Sequence, residues 1–142
     1  MDTSVWIDHF RAPDAELRDC LDAGEVLMHS MVIGEIACGN LSRRAQTLAR
    51  LRSLPHIPES EHDEVMRTIE SDRLMGRGLG YIDAHLVSSV LRHPDASLWT
   101  RDTRLKGVAE ELGVSFLETP PGGKTSDDDE PRDDLRTDKD PA

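Results

Sequence analysis

At 142 residues and 37% hydrophobic content, the chain holds enough apolar material for one core and too little for two. A net charge of −11 argues against nonspecific adhesion to nucleic acid, since any such substrate needs a local cationic rim or a partner that supplies one. Cys20 and Cys38 fit no metal-ligand pattern and no apolar leader or membrane span is visible, so a cytoplasmic protein with reduced, hydrophobically packed thiols is expected.

In chain order, the first expected element is an oddity. Asp2 should close a central strand, yet only Met1 precedes it, so either the start lies upstream or the sheet is short by one strand. A short helix begins near Thr3, which Asp2 could cap. Apolar residues then alternate between helical and strand-like spacing, as in strands connected by helices over a parallel sheet, which makes the class α/β. The spacing predicts a helix over 15–23, a strand over 25–29 (EVLMH), and helices over 32–39, 43–53, 62–75 and 81–93. A strand over 97–100 (SLWT), a helix over 103–112 and a last strand over 114–118 (VSFLE) follow, with Gly24, Gly76 and Gly113 as helix stops. Trp6, Trp99, the leucines of 48–54, Met66, Ile69 and Met75 read as core or subunit interface. The domain ends at 119. Residues 120–142 hold 4 basic and 8 acidic groups and one large apolar residue, the composition of a disordered acidic tail.

Four acidic residues, Asp2, Glu35, Asp83 and Asp102, stand where strands should end or helices begin, which suggests one carboxylate pocket. Carboxylate oxygens suit Mg²⁺ or Mn²⁺, and a cation held by them can activate water against a phosphodiester. Asp83 is the most informative. With about 100° between successive helical residues, it falls in the middle of the arc made by Ile82, Leu86, Val87, Val90 and Leu91. An inward carboxylate there must be paired, hydrogen bonded or metal-bound, whereas a dipole role would serve equally well from the solvent side. His85, Ser88, Ser89 and Arg92 fill the opposite arc, where His85 should be solvated. Asp102 suits either a helix N-cap or the site-forming position beyond the carboxyl end of a parallel strand. Asp2 alone reads first as a cap. Glu35 lies between Gly34 and Gly39, small neighbours that admit a close ligand or backbone, or serve helix packing.

Other chemistries lack their patterns. The six histidines show no His-x-x-x-His pair, no Gly-x-Ser-x-Gly elbow occurs, and MGRGLGY departs from the dinucleotide-loop spacing. Arg43, Arg44, Arg77, Arg101, Arg104 and Lys106 are the basic residues able to rim the pocket and attract phosphate despite the negative total.

With DTSVWIDHFR, VIGEIACGNL, RLMGRGLGYIDAHLVSSVL and LWTRDTRLKGVAEELGV in this order, the sequence resembles the PIN-domain ribonucleases, and among them the VapC toxins of bacterial toxin-antitoxin pairs. The resemblance covers residues 2 to 118. It implies a three-layer sandwich with a short central parallel sheet flanked by helices and the acidic residues at the sheet's carboxyl edge. It further implies Mg²⁺ or Mn²⁺ held mainly by Asp2 and Asp83, with Glu35 and Asp102 completing a four-residue catalytic set, and Arg77, Thr100 and Arg101 touching the substrate. The implied activity is endoribonucleolytic, leaving a 5′-phosphate and a 3′-hydroxyl. The implied partners are a VapB-like antitoxin, through which alone DNA is contacted, and a second copy in a homodimer, with no membrane involved. Two other functions compete. One is a noncatalytic PIN-like module that binds protein. The other is a different phosphohydrolase, against which Thr3 and Ser4 follow Asp2 where a haloacid-dehalogenase enzyme needs Asp-x-Asp.

Overall fold

Helices dominate the computed structural model, which describes residues 1–120: α1 (Thr3–Arg11), α2 (Ala15–Asp22), α3 (Ser30–Ala37), α4 (Arg44–Ser53), α5 (His62–Ser71), α6 (Tyr81–Leu91) and α7 (Thr103–Glu111). The expected acidic tail over 120–142 lies, apart from Pro120, outside the described residues. α3 is the hub. It packs on α1, α4 and α6, and α6 also meets α5.

Every residue from Ala84 to Val90 is buried. This corrects the sequence expectation for His85, which is 5% exposed rather than solvated, and Ser88 and Ser89 of the same arc are buried with it. The serines on that arc can be buried because the neighbouring segment supplies hydroxyls. Ser88 Oγ donates to Ser60 Oγ at 2.8 Å and lies 3.1 Å from Thr68 Oγ1 of α5, so polar groups leave water already satisfied.

Helix ends decide where the extended segments begin. Gly24 and Gly113 take left-handed backbone (φ +69° and +71°), and the residue after each donates back to a carbonyl five positions earlier: Glu25 to Cys20 and Val114 to Ala109, both at 2.9 Å. This 6→1 closure turns α2 and α7 directly into the segments at 25 and 114. α5 ends earlier than the sequence suggests. Arg73 adopts φ +52° and the buried Leu74 donates to Ile69 O, so Met75 lies beyond the helix. Met75 and Met66 are exposed, outside the core in which Trp6, Trp99, Leu48 and Leu51 are buried.

The three expected strands do not grow into ladders. Each contributes to a single parallel bridge, Met28 with His56 and Leu98 with Ser115, and no longer strand forms among the described residues. Met28 N–H donates to Pro55 O at 2.7 Å and its carbonyl accepts from Ile57 at 3.0 Å, through a segment that the sequence did not mark as extended. Leu98 does likewise with Val114 O and Phe116 N–H, at 2.6 and 2.9 Å. Asp2 N–H bonds to Trp99 O at 2.8 Å, which sets the start of α1 beside the 97–100 segment.

Candidate active site

Asp2 occupies the N-cap position of α1 but does not cap it. Instead the 6%-exposed side chain turns toward the 97–100 segment, where Oδ2 accepts from Thr100 Oγ1 and Ser4 Oγ, each at 2.8 Å. Both hydroxyls are themselves oriented by backbone amides. Asp102 N–H donates to Thr100 Oγ1 at 3.1 Å and Arg101 N–H to Ser4 Oγ at 3.0 Å. A hydroxyl has one proton to give, so an amide aimed at its oxygen leaves that proton for Asp2. The network ties the position of Asp2 to two residues of the 97–102 turn.

The other three carboxylates come from helix starts or faces around it. Asp83, in the first turn of α6, accepts at Oδ2 from Gly80 N–H at 3.0 Å. Asp102 caps α7 through Oδ1, which accepts from Arg104 and Leu105 N–H at 3.0 Å each. Glu35 projects from α3 and accepts at Oε1 from Thr3 Oγ1 at 3.0 Å. Its small neighbour Gly34 borders open space rather than a closely approaching backbone, since a Cβ built there meets nothing within 4 Å.

The four acids share one electrostatic neighbourhood. Burial pushes the Asp83 carboxyl above its ordinary pKa, the Gly80 hydrogen bond opposes that, and the charges of Asp2, Asp102 and Glu35 push it further up. Each carboxylate also divides its labour in the same way. One oxygen is engaged by the protein, while Asp2 Oδ1, Glu35 Oε2, Asp83 Oδ1 and Asp102 Oδ2 have no hydrogen-bond partner among the described residues.

This donor set fits a hard divalent cation: it is all oxygen, anionic, mutually repelling and oriented from behind by hydrogen bonds. It is gathered without being closed. Among the described residues no three His, Cys, Asp or Glu side chains are already drawn into a ligand set.

The residues expected to touch substrate are placed otherwise. Thr100 is buried and serves Asp2. Arg101 sends its guanidinium to three carboxylates, Asp8 at 3.0 Å, Asp14 at 2.6 Å and Glu118 at 2.9 Å. Arg77 is paired with Glu111. Arg44 spends its nitrogens on the Gly39 and Ala37 carbonyls at the end of α3. Arg104, by contrast, has no ion-pair partner among the described residues, and its stem lies along Gly78, where a Cβ would come within 2.7 Å of Cδ. Sequence reasoning passed over Thr3 and Ser4 as contributors. The available signal was two hydroxyl residues directly after an acid.

Residues 1–111 match the PIN domain family. Two curated relatives, the proteins named Ribonuclease VapC32 from Mycobacterium tuberculosis strains CDC 1551 / Oshkosh and ATCC 25618 / H37Rv, are each 47% identical over 118 residues, covering 83% of this chain and 95% of theirs. No solved structure matches at a significant level. The chain belongs to the PIN-domain family and, within it, to the VapC ribonucleases.

Proposed function

We propose, with that membership as premise, that the protein is a metal-dependent endoribonuclease acting as the toxin of a toxin-antitoxin pair. The observation that carries the mechanism is the half-engaged Asp83 carboxylate, held within the electrostatic reach of three others, Asp2, Glu35 and Asp102. Mg²⁺ or Mn²⁺ on the free oxygens of Asp2 and Asp83, with Glu35 and Asp102 completing the set, would supply the positive charge that lets a phosphodiester approach and makes water more acidic.

The chain's own residues do the rest. Thr100 and Ser4 hold Asp2 in one orientation. Asp83, whose pKa is raised by burial and by its acidic neighbours, is the proton acceptor for an attacking water. Thr3 fixes Glu35, and the α7 amides fix Asp102. In-line attack at phosphorus then leaves a 5′-phosphate and a 3′-hydroxyl. Arg104 is the cation best placed to receive the RNA backbone, ahead of the paired Arg77 and Arg101.

The catalytic unit is residues 1–119, and its sheet is the short parallel centre of a three-layer sandwich. No helix among the described residues is long and apolar enough to cross a membrane. On the same proposal the toxin works in the cytoplasm as a homodimer. A VapB-like antitoxin is its partner and its link to DNA.

Purified protein incubated with total RNA tests the reading. Discrete cleavage is expected with Mg²⁺ or Mn²⁺, none with chelator, and none from Asp83→Asn. Equal cleavage by that variant would reject the assigned site.

A further inference from the structure

Charge is spread very unevenly along this chain. Residues 36–58 hold four arginines, Arg43, Arg44, Arg50 and Arg52, and no acidic residue, while all 28 acidic groups and the other 13 basic ones lie elsewhere. Most of that segment is α4 and the turn leading into it, and all four arginines are exposed. None of them has an ion-pair partner among the described residues, whereas Arg77, Arg92 and Arg101 are each held by acids.

The geometry of α4 lines these charges up. Leu48 and Leu51 form its buried side. With about 100° between successive residues, the outward side falls on Ala45, Ala49 and Ser53, with Arg50 on one flank of that small, uncharged strip and Arg52 on the other. Arg43 and Arg44 stand at its start, where they line a shallow depression with Ala45 and Gln46. Arg43 has left-handed backbone (φ +49°), a conformation that favours glycine or asparagine, so an arginine there points to a use for its side chain. The ten residues of α4 make a rail of about 15 Å.

The rail starts beside the acidic cluster. α4 packs on α3, which carries Glu35, and Arg44 donates to the carbonyls of Ala37 and Gly39, just beyond that acid. A strand held by the cluster at one phosphate has to leave across the protein surface. Acids outnumber bases 28 to 13 outside residues 36–58, so the acid-free surface is the exit that attracts it.

We propose that the exposed arginine face of α4 is a binding rail for single-stranded RNA, on which Arg43, Arg50 and Arg52 take phosphates of the strand leaving the acidic cluster. The ribonuclease reading supplies the identity of that strand. A guanidinium fork pairs with two phosphate oxygens and its plane stacks on bases, and the small Ala45 and Ala49 let a backbone lie close. An acidic protein segment would also answer the charge, but continuity with a centre that acts on phosphodiesters favours RNA.

Changing Arg43, Arg50 and Arg52 together to Gln tests the rail, since it keeps good helix formers and leaves Arg44 to hold α3. Binding is read by fluorescence anisotropy in chelator, on protein that also carries Asp83→Asn, with an RNA of about 16 nucleotides. The triple change should weaken it by about 10-fold or more and lower the slope of log affinity against log salt by about 2, because each phosphate contact on a single strand contributes about 0.7. The same three positions changed to Lys should keep the slope. In cleavage by protein with native Asp83, KM for the long RNA should rise with kcat unchanged, and KM for an RNA of about 4 nucleotides should not move. Arg11, Arg67 and Arg73 changed to Gln remove the same charge elsewhere and should leave binding intact. An equal loss from that control would overturn the proposal by reducing the effect to total charge. Unchanged RNA binding in the α4 variant, with binding of polyaspartate lost, would overturn it by giving the surface to an acidic protein segment. Cleavage whose KM ignores α4 would sink the rail alone, whereas arginine-dependent binding without any cleavage would uphold the rail and sink the ribonuclease reading.

Discussion

The carboxylate cluster and the slot of about 470 Å³ between the 25–29 and 96–99 segments treat their polar groups in opposite ways. At the cluster, every hydroxyl that touches Asp2 is itself the target of an amide, and each acid has one oxygen tied down and one left over. In the slot, backbone groups of Leu27 and Ser97 and the amine of Met1 go without partners. The site is therefore assembled by side chains, caps and helix starts, which need no sheet ladder to form. The extended segments pair only with their outer neighbours, each through a single parallel bridge, so the site's organisation rests on helix ends and side chains rather than on a ladder.

The largest expected effect falls on the cluster. Asp83→Asn should lower metal-dependent RNA cleavage by about 10²- to 10⁴-fold, read as kcat/KM on a defined RNA, while raising Tm in chelator, because it removes the charge the other three acids repel. A loss of activity accompanied by a fall in Tm would mean that Asp83 is structural. Next comes Thr100→Val, which keeps the shape and takes away the hydroxyl between Asp102 N–H and Asp2. It should cost about 10- to 100-fold in activity or metal affinity, measured by cleavage and by metal titration, with the helical signal unchanged.

Arg101→Gln should separate the two regions most sharply. If the guanidinium works as a clamp on Asp8, Asp14 and Glu118, stability drops by about 1–3 kcal/mol in urea with KM unchanged, whereas a rise in KM would restore its role in binding RNA.

The smallest effect is a pH dependence. Asp83 has its folded pKa raised, so its stabilising contribution is full below the unfolded carboxyl range and is lost as pH rises through the folded value. The urea midpoint of Asp83→Asn in chelator, measured relative to the unsubstituted protein, should therefore rise as pH is raised above the ordinary carboxyl range, and a difference that does not change with pH would remove Asp83 as its source.

Much of this was legible in the residues, and what was not has identifiable causes. The position of Asp83 followed from helical periodicity, and Asp102 from its place before Thr103, because both depend on neighbours within one turn. Thr3 was passed over because its partner Glu35 lies 32 residues away, and Ser4 because the Arg101 amide that orients its hydroxyl toward Asp2 lies 97 residues away, pairings that only folding creates. His85 was assigned to solvent because a helical wheel knows its own helix and not the neighbours that cover it. The apolar runs at 25–29 and 97–100 were recognised, but whether such a run becomes a ladder depends on what lies beside it. Arg101 looked like a phosphate contact for the same reason. Its charge was visible, but the three acids that neutralise it come from distant parts of the chain.

The arginine clamp has a mechanical consequence. Glu118 is bonded to both Trp99 and Arg101, and Thr119 is moored to Glu16 of α2 at 3.0 Å. Trp99 and Arg101 are also the residues whose backbone groups grip Asp2 and Ser4. The 118–119 segment is thus moored to the same backbone that orients Asp2, so displacing that segment should be felt at the acidic cluster as well as at α2.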